Sequence, residues 1–178
     1  MPRRQPLPRL WLMTDERQGE ALWDALHALP KGAGVVFRHY ALPAPERQAL
    51  FERVRRLARG RSLVLLAAGA PLLGARGTHG RRGSGVRSAS VHNLRQLKAA
   101  ERAGAELVFL SPVFATRSHP RARPLGPGRF ALIAHQAKVP VIALGGMNAE
   151  RAARLGGAHG WGGIDAWTPD QKRKAVPM

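Results

Sequence analysis

Histidines, hydroxyls and a pair of adjacent glycines are the residues of this 178-residue chain best suited to chemistry. Gly145 and Gly146 follow the apolar run 141–144 and precede Asn148, a residue type that caps helices. Glycines at such a turn let backbone N–H groups approach an anion closely, which makes a phosphate the natural guest; a plain tight turn needs the same two residues. Residues 111–119, SPVFATRSH, set the hydroxyls of Thr116 and Ser118 beside Arg117 and His119, a donor-rich segment suited to phosphate oxygens. A non-periodic stretch of about 17 residues begins there, a length uncommon unless the loop covers a site; a solvated basic loop is the plainer alternative. His79, His92 and His119 stand after apolar runs, where an imidazole can act as general acid or base or serve as a hydrogen-bonded structural residue. No HExxH or closely spaced His pair suggests a metal site, and zero Cys removes thiolate zinc sites and thiol nucleophiles.

Short runs rich in Val, Leu and Ile at 10–13, 35–37, 63–66, 86–91, 107–110 and 139–144 read as strands, and weaker candidates at 77–80 and 163–166 bring the number to eight. Most are continuous instead of alternating, the pattern of parallel strands covered on both faces. Between them lie helical stripes: Leu22, Ala25, Leu26 and Leu29; Leu50, Val54 and Leu57; Leu94, Leu97 and Ala100 behind the cap Asn93; Phe130, Ile133, Ala134 and Ala137. Alternating strands and helices predict an α/β barrel, although 178 residues is short for a fold of about 250. The shortage is local. Only residues 69–76 and 81–85 separate the third, fourth and fifth strands, so the helices there are expected to be short or missing, and the basic tail from Pro169 leaves the last helix open. In such a barrel the loops after the strands converge on one rim, which gathers Thr14, Asp15, Arg38, His39, His79, Ser90, His92, the 111–119 segment, the glycine pair and Asp165.

An apolar fraction of 44% argues against disorder despite a net charge of +18. One domain is expected over residues 1–178, with a core from about 9 to 167 and a tail at 168–178. The cysteine usage and the lack of an apolar stretch long enough for a span or leader predict a cytoplasmic protein without membrane contact.

The series FRHY at 37–40, GTHG at 77–80, SASVH at 88–92, SPVFATRSHP at 111–120, PVIALGGMN at 140–148 and GGIDA at 162–166 resembles thiamine phosphate synthase and its TenI thiazole-tautomerase relatives. The resemblance implies an abbreviated (β/α)8 TIM barrel. It also implies either the joining of hydroxymethylpyrimidine diphosphate to a thiazole phosphate, with magnesium on the diphosphate, or rearrangement of a thiazole phosphate tautomer. Position by position, Arg38 matches the family's diphosphate arginine, Thr116 and Ser118 its phosphate-loop hydroxyls, Gly146 (beside Gly145) its thiazole-phosphate glycine, and Ser90 with His92 its Ser-x-His strand end; Ile164 is conservative.

Several positions depart from the family. Val36 and Tyr40 replace the glutamine and lysine flanking the arginine, His119 replaces the lysine closing the phosphate loop, and Asp165 replaces a phosphate-binding serine. The magnesium-site Asn-Asp pair falls on Ala67 and Ala68, and no carboxylate occurs between Glu52 and Glu101. Magnesium prefers hard oxygen ligands, so the cofactor the family implies lacks its usual ligands here, and no residue is assigned as a metal ligand. Ser111 and Pro112 stand where the tautomerase histidine would be, which leaves His92 or His119 for that role. The expected partners are a phosphorylated thiazole and the pyrimidine diphosphate. The alternative is a catalytically inactive barrel that uses its charge to bind nucleic acid or another polyanion; at 6% aromatic content, base stacking would be thin.

Overall fold

The computed structural model describes residues 6–116 and 122–167. Eight parallel strands close into a barrel in chain order: β1 (Leu10–Met13), β2 (Gly34–Phe37), β3 (Val64–Ala68), β4 (Gly77–His79), β5 (Val86–Val91), β6 (Leu107–Leu110), β7 (Val141–Ala143) and β8 (Gly160–Gly163), with β8 pairing back onto β1. Helices α1 (Ala21–Ala28), α2 (Ala44–Gly60), α3 (Leu94–Arg102), α4 (Gly126–Ala134) and α5 (Ala149–Ala153) follow strands 1, 2, 5, 6 and 7. None follows β3 or β4. No helix among the described residues is long and apolar enough to cross a membrane. The question of a C-terminal helix falls on residues outside those described.

Strand alternation sorts the core into layers. Val35 and Phe37 of β2 face outward onto Leu22, Leu26, Phe51 and Val54 of α1 and α2, while Val108 and Leu110 of β6 face Leu97, Phe130 and Ile133 of α3 and α4. The alternate residues Trp11, Val36, Leu66, Phe109 and Ile142 fill the barrel interior. Trp11 is fully buried, donates its indole N–H to Pro8 O at 2.8 Å, and meets Phe109 edge-on at 5.2 Å. Glycine is required on both neighbouring strands: a Cβ on Gly34 would collide with the Trp11 ring, and one on Gly162 would lie 2.7 Å from the Trp11 backbone O.

Two local readings of the sequence are corrected. The eighth strand is Gly160–Gly163, not 163–166. Its glycines carry no apolar pattern, since they serve to clear Trp11 and the Arg9 backbone, and Ile164 to Ala166 turn over the barrel mouth instead. On α2 the buried face is Arg47, Phe51, Val54 and Ala58, rotated from the Leu50, Val54, Leu57 stripe. A buried arginine hid the true face. Asn93 and Asn148 do cap α3 and α5, accepting from Gln96 N at 2.9 Å and Arg151 N at 2.8 Å.

Candidate functional site

At the carboxy-terminal end of the strands a cavity of about 770 Å³ opens, and its lining includes Arg38, Ser90, His92, Thr116, Gly145, Gly146 and Ile164. These residues come from the ends of strands 2, 5, 6, 7 and 8, and barrel closure alone brings them together. Ser118 and His119 lie outside the described residues. Arg123, Arg151, Tyr40, His79 and Asp165 also line the cavity.

The glycine turn is built against the β6 loop. Leu144 O accepts from Val113 N at 2.8 Å and Gly145 O from Phe114 N at 3.1 Å, which directs the turn's carbonyls toward that loop. Both glycines have positive φ, 89° and 62°. A Cβ on Gly145 would sit 2.7 Å from Pro112, and one on Gly146 2.6 Å from Ala115 O, so the two segments touch at backbone distance. Among the described residues no backbone carbonyl accepts from the amides of Gly145 or Gly146. The Arg151 guanidinium donates to Gly146 O and lies over the Phe114 ring with its carbon 4.6 Å from the centroid. A cation is thereby held beside the turn.

Opposite, Arg38 is committed elsewhere: Nε donates to Thr14 O at 2.8 Å and a terminal nitrogen to Asp15 at 2.9 Å. Asp15 also accepts from Arg17 at 2.7 Å, and this hydrogen bond, against the opposing effect of partial burial, holds the Asp15 carboxyl below the usual carboxylate range. Arg38 N donates to Thr14 Oγ1 at 3.0 Å, and the same hydroxyl lies 2.9 Å from His39 Nδ1. Burial lowers the His39 pKa. Neither that histidine nor Asp15 lines the cavity; they brace Arg38.

His92 is exposed at the rim, and its Nδ1 lies 2.8 Å from Ser111 O. A carbonyl only accepts, so the neutral ring carries its proton on Nδ1 and offers Nε2 as a base. At the cavity floor His79 is buried between Ser88 and Ser90, each hydroxyl 3.0 Å from a ring nitrogen. Burial, with Arg38 nearby, pushes its pKa down to about 4.

Magnesium is poorly served by this donor set. Ala67 and Ala68 end β3 as buried methyl groups, and among the described residues Asp165 is the one carboxylate of the cavity lining and no group of three His, Cys, Asp or Glu could hold a metal. Sequence reasoning missed the cavity cation Arg151 and the brace Arg47. Arg151 was detectable as a basic residue three past the cap Asn148; Arg47 had no signal beyond its proline-led helix start.

A family model described as thiamine monophosphate synthase matches residues 86–166. The thiamine-phosphate synthase of Chloroflexus aurantiacus is 35% identical over 72 residues, 40% of this chain and 33% of that protein. That of Geobacillus thermodenitrificans is 33% identical over 98 residues, 53% of this chain and 44% of that protein. The matched stretch thus spans between a third and a half of these curated relatives. Thiamine phosphate pyrophosphorylase from Pyrococcus furiosus superposes with a TM-score of 0.77 at 24% identity, covering 94% of this chain and 91% of that one. At that identity the likeness is one of fold.

Proposed function

Since the chain belongs to the thiamine phosphate synthase/TenI family, carried by residues 86–166, we propose that its cavity binds a thiazole phosphate and moves a proton between tautomers of the thiazole. The observation that carries this reading is the Arg151 guanidinium fixed on Gly146 O beside two glycine amides with no backbone acceptor among the described residues. Backbone N–H groups and a guanidinium together hold a single phosphate well. Thr116, with Ser118 from its position in sequence, adds hydroxyl donors, and Ile164 and Ser90 contact the ring.

The phosphate binds without a divalent cation in this reading. Arg38, the family's diphosphate arginine, is held by Asp15, a carboxylate it shares with Arg17, and among the described residues Asp165 is the carboxylate of the cavity lining. A pyrimidine diphosphate, with more charge to neutralise, is therefore the poorer ligand. A tautomer shift is neutral in atoms and electrons: His92 Nε2 takes a proton from one ring carbon, the electron pair moves through the ring, and the proton returns at a second carbon. His119, by its position in sequence, is the second candidate acid. In this reading residues 9–167 act as one unit, and the segment 168–178 expected to be a tail lies outside the described residues.

Calorimetry with thiazole phosphate in EDTA tests the binding. Affinity unchanged by added magnesium is expected; affinity that requires magnesium would overturn the reading. Solvent deuterium uptake into the bound thiazole tests the chemistry, and His92→Asn is expected to slow it by about 100-fold or more. Uptake at the parent rate would remove His92 from the mechanism.

A further inference from the structure

The turn after β1 carries a buried amide for which neither the phosphate nor the proton transfer has a task. Glu16–Gln18 form a single 3-10 turn behind Asp15, and Gln18 is 8% exposed. Burial obliges its amide to find partners at both ends. Asp15 N lies 2.9 Å from Oε1, and Ile164 O lies 3.0 Å from Nε2. A backbone N–H only donates and a carbonyl only accepts, so the amide has one orientation, with its oxygen toward the turn and its NH2 toward Ile164.

Ile164 opens the loop 164–166 over the barrel mouth, and Ile164, Asp165 and Ala166 line the cavity whereas Gln18 stands outside its lining. The far end of the loop is anchored: Trp167 donates its indole N–H to Trp11 O at 3.1 Å and stacks on Trp161 at 5.0 Å. At the near end Gln18 grips the backbone from behind the cavity wall. Its donation turns the Ile164 carbonyl, the negative end of that peptide, away from the space a ligand occupies. The same turn holds the opposite wall, because Asp15 accepts from Arg38 at 2.9 Å and Glu16 accepts from Ala41 N at 2.9 Å. The loops after β8, β1 and β2 are thereby joined.

We propose that Gln18 is a positioning residue: by donating to Ile164 O it fixes the loop after β8 with that carbonyl turned out of the cavity, which keeps this wall open to an anionic ligand. A released peptide can rotate and set its oxygen toward the ligand, where a partial negative charge opposes a phosphate. Without its donor the Ile164 carbonyl also has to seek another partner, and the loop loses its single geometry. The effect on affinity rests on the phosphate reading of the cavity, whereas the hold on the loop is a property of the free protein.

Two variants of the full chain test this, each read against the parent in the same buffer. Gln18→Glu keeps an oxygen for Asp15 N–H, but its carboxylate cannot donate to Ile164 O; protonated, it carries an O–H that can. An ordinary glutamic acid titrates near 4.3 and burial raises that value, so the donor should return between about pH 8 and pH 5.5. Calorimetry with thiazole phosphate in EDTA is expected to show Gln18→Glu binding about tenfold more weakly than the parent at the higher pH and within about threefold at the lower, the scale of one hydrogen bond. Gln18→Met, similar in shape but without a donor, should stay about tenfold weaker at both. Hydrogen exchange on the free proteins should be faster than in the parent at residues 164–167 of Gln18→Met, with Leu107–Leu110 unchanged. Parent-like affinity in Gln18→Met, no recovery of Gln18→Glu at the lower pH, or exchange accelerated throughout the barrel each overturn the proposal. A parent that binds no thiazole phosphate removes the phosphate reading and leaves the hold on the loop to be decided by exchange; a parent that binds, with loop exchange unchanged in both variants, removes the role of Gln18 alone.

Discussion

His79 avoids charge at neutral pH because burial, and secondarily Arg38, push its pKa down to about 4. In the unfolded chain the same ring titrates near 6.5, so as pH falls the unfolded state takes up the proton first. The contribution to stability is complete above about pH 6.5 and is lost progressively toward pH 4, by up to about 3 kcal/mol. His39, lowered in the same direction by burial, adds to the slope. Urea titrations at several pH values are expected to show a shallower dependence for His79→Phe than for the parent; parallel curves would contradict this account. Gly146 is constrained differently. Its φ of 62°, and an Ala115 O that would lie 2.6 Å from any Cβ placed there, leave no room for a side chain. Gly146→Ala should cost about 1–3 kcal/mol in denaturant unfolding and weaken thiazole phosphate binding as the β6 loop shifts. Asp165→Ser removes an anion from the cavity and should strengthen that binding, as calorimetry would show.

Among the elements, α2 depends on a charge at its buried face. Arg47 is 5% exposed, and its guanidinium donates to His39 O at 2.9 Å, to Ala70 O at 3.2 Å and to Ala68 O. It thereby joins the helix to the ends of β2 and β3. Arg47→Met keeps the stem and leaves those carbonyls without their donor, so a loss of about 2–4 kcal/mol is expected in equilibrium unfolding. The strands without helices are covered by loops. Leu72 and Ala75 pack onto the outer layer over β3, and Gly83 presses against Thr78, whose hydroxyl donates to Arg81 O at 2.9 Å. Loops covering a strand bury less apolar surface than a helix does. Hydrogen exchange should therefore be faster at Gly77–His79 than at Leu107–Leu110, which α3 and α4 cover; equal protection would show that the loops substitute fully.

For the whole molecule, a charge of +18 bears on its partners through long-range attraction that salt screens. If the cavity is the working site, a mixed oligonucleotide should not be retained at about 0.15 M salt, and retention there would favour the polyanion reading instead. Much of the barrel is legible along the chain. The apolar runs at 10–13, 86–91 and 107–110 are strands as written, Asn93 and Asn148 cap the helices that follow them, and the short gaps at 69–76 and 81–85 leave no room for helices. Each is a local fact, since a residue's pattern reports the environment its own element imposes. The rim residues could be named for the same reason, because they follow strand ends. What the chain could not disclose depends on closure and register. Only the packed barrel makes Gly160–Gly163 a strand against Trp11, buries Arg47 under three carbonyls, ties Arg38 to Asp15, and sets His79 between Ser88 and Ser90. Those partners come from neighbouring strands at distances along the chain that no periodicity encodes, and hydrogen bonding between them is decided by which side chains the closed sheet brings within about 3 Å.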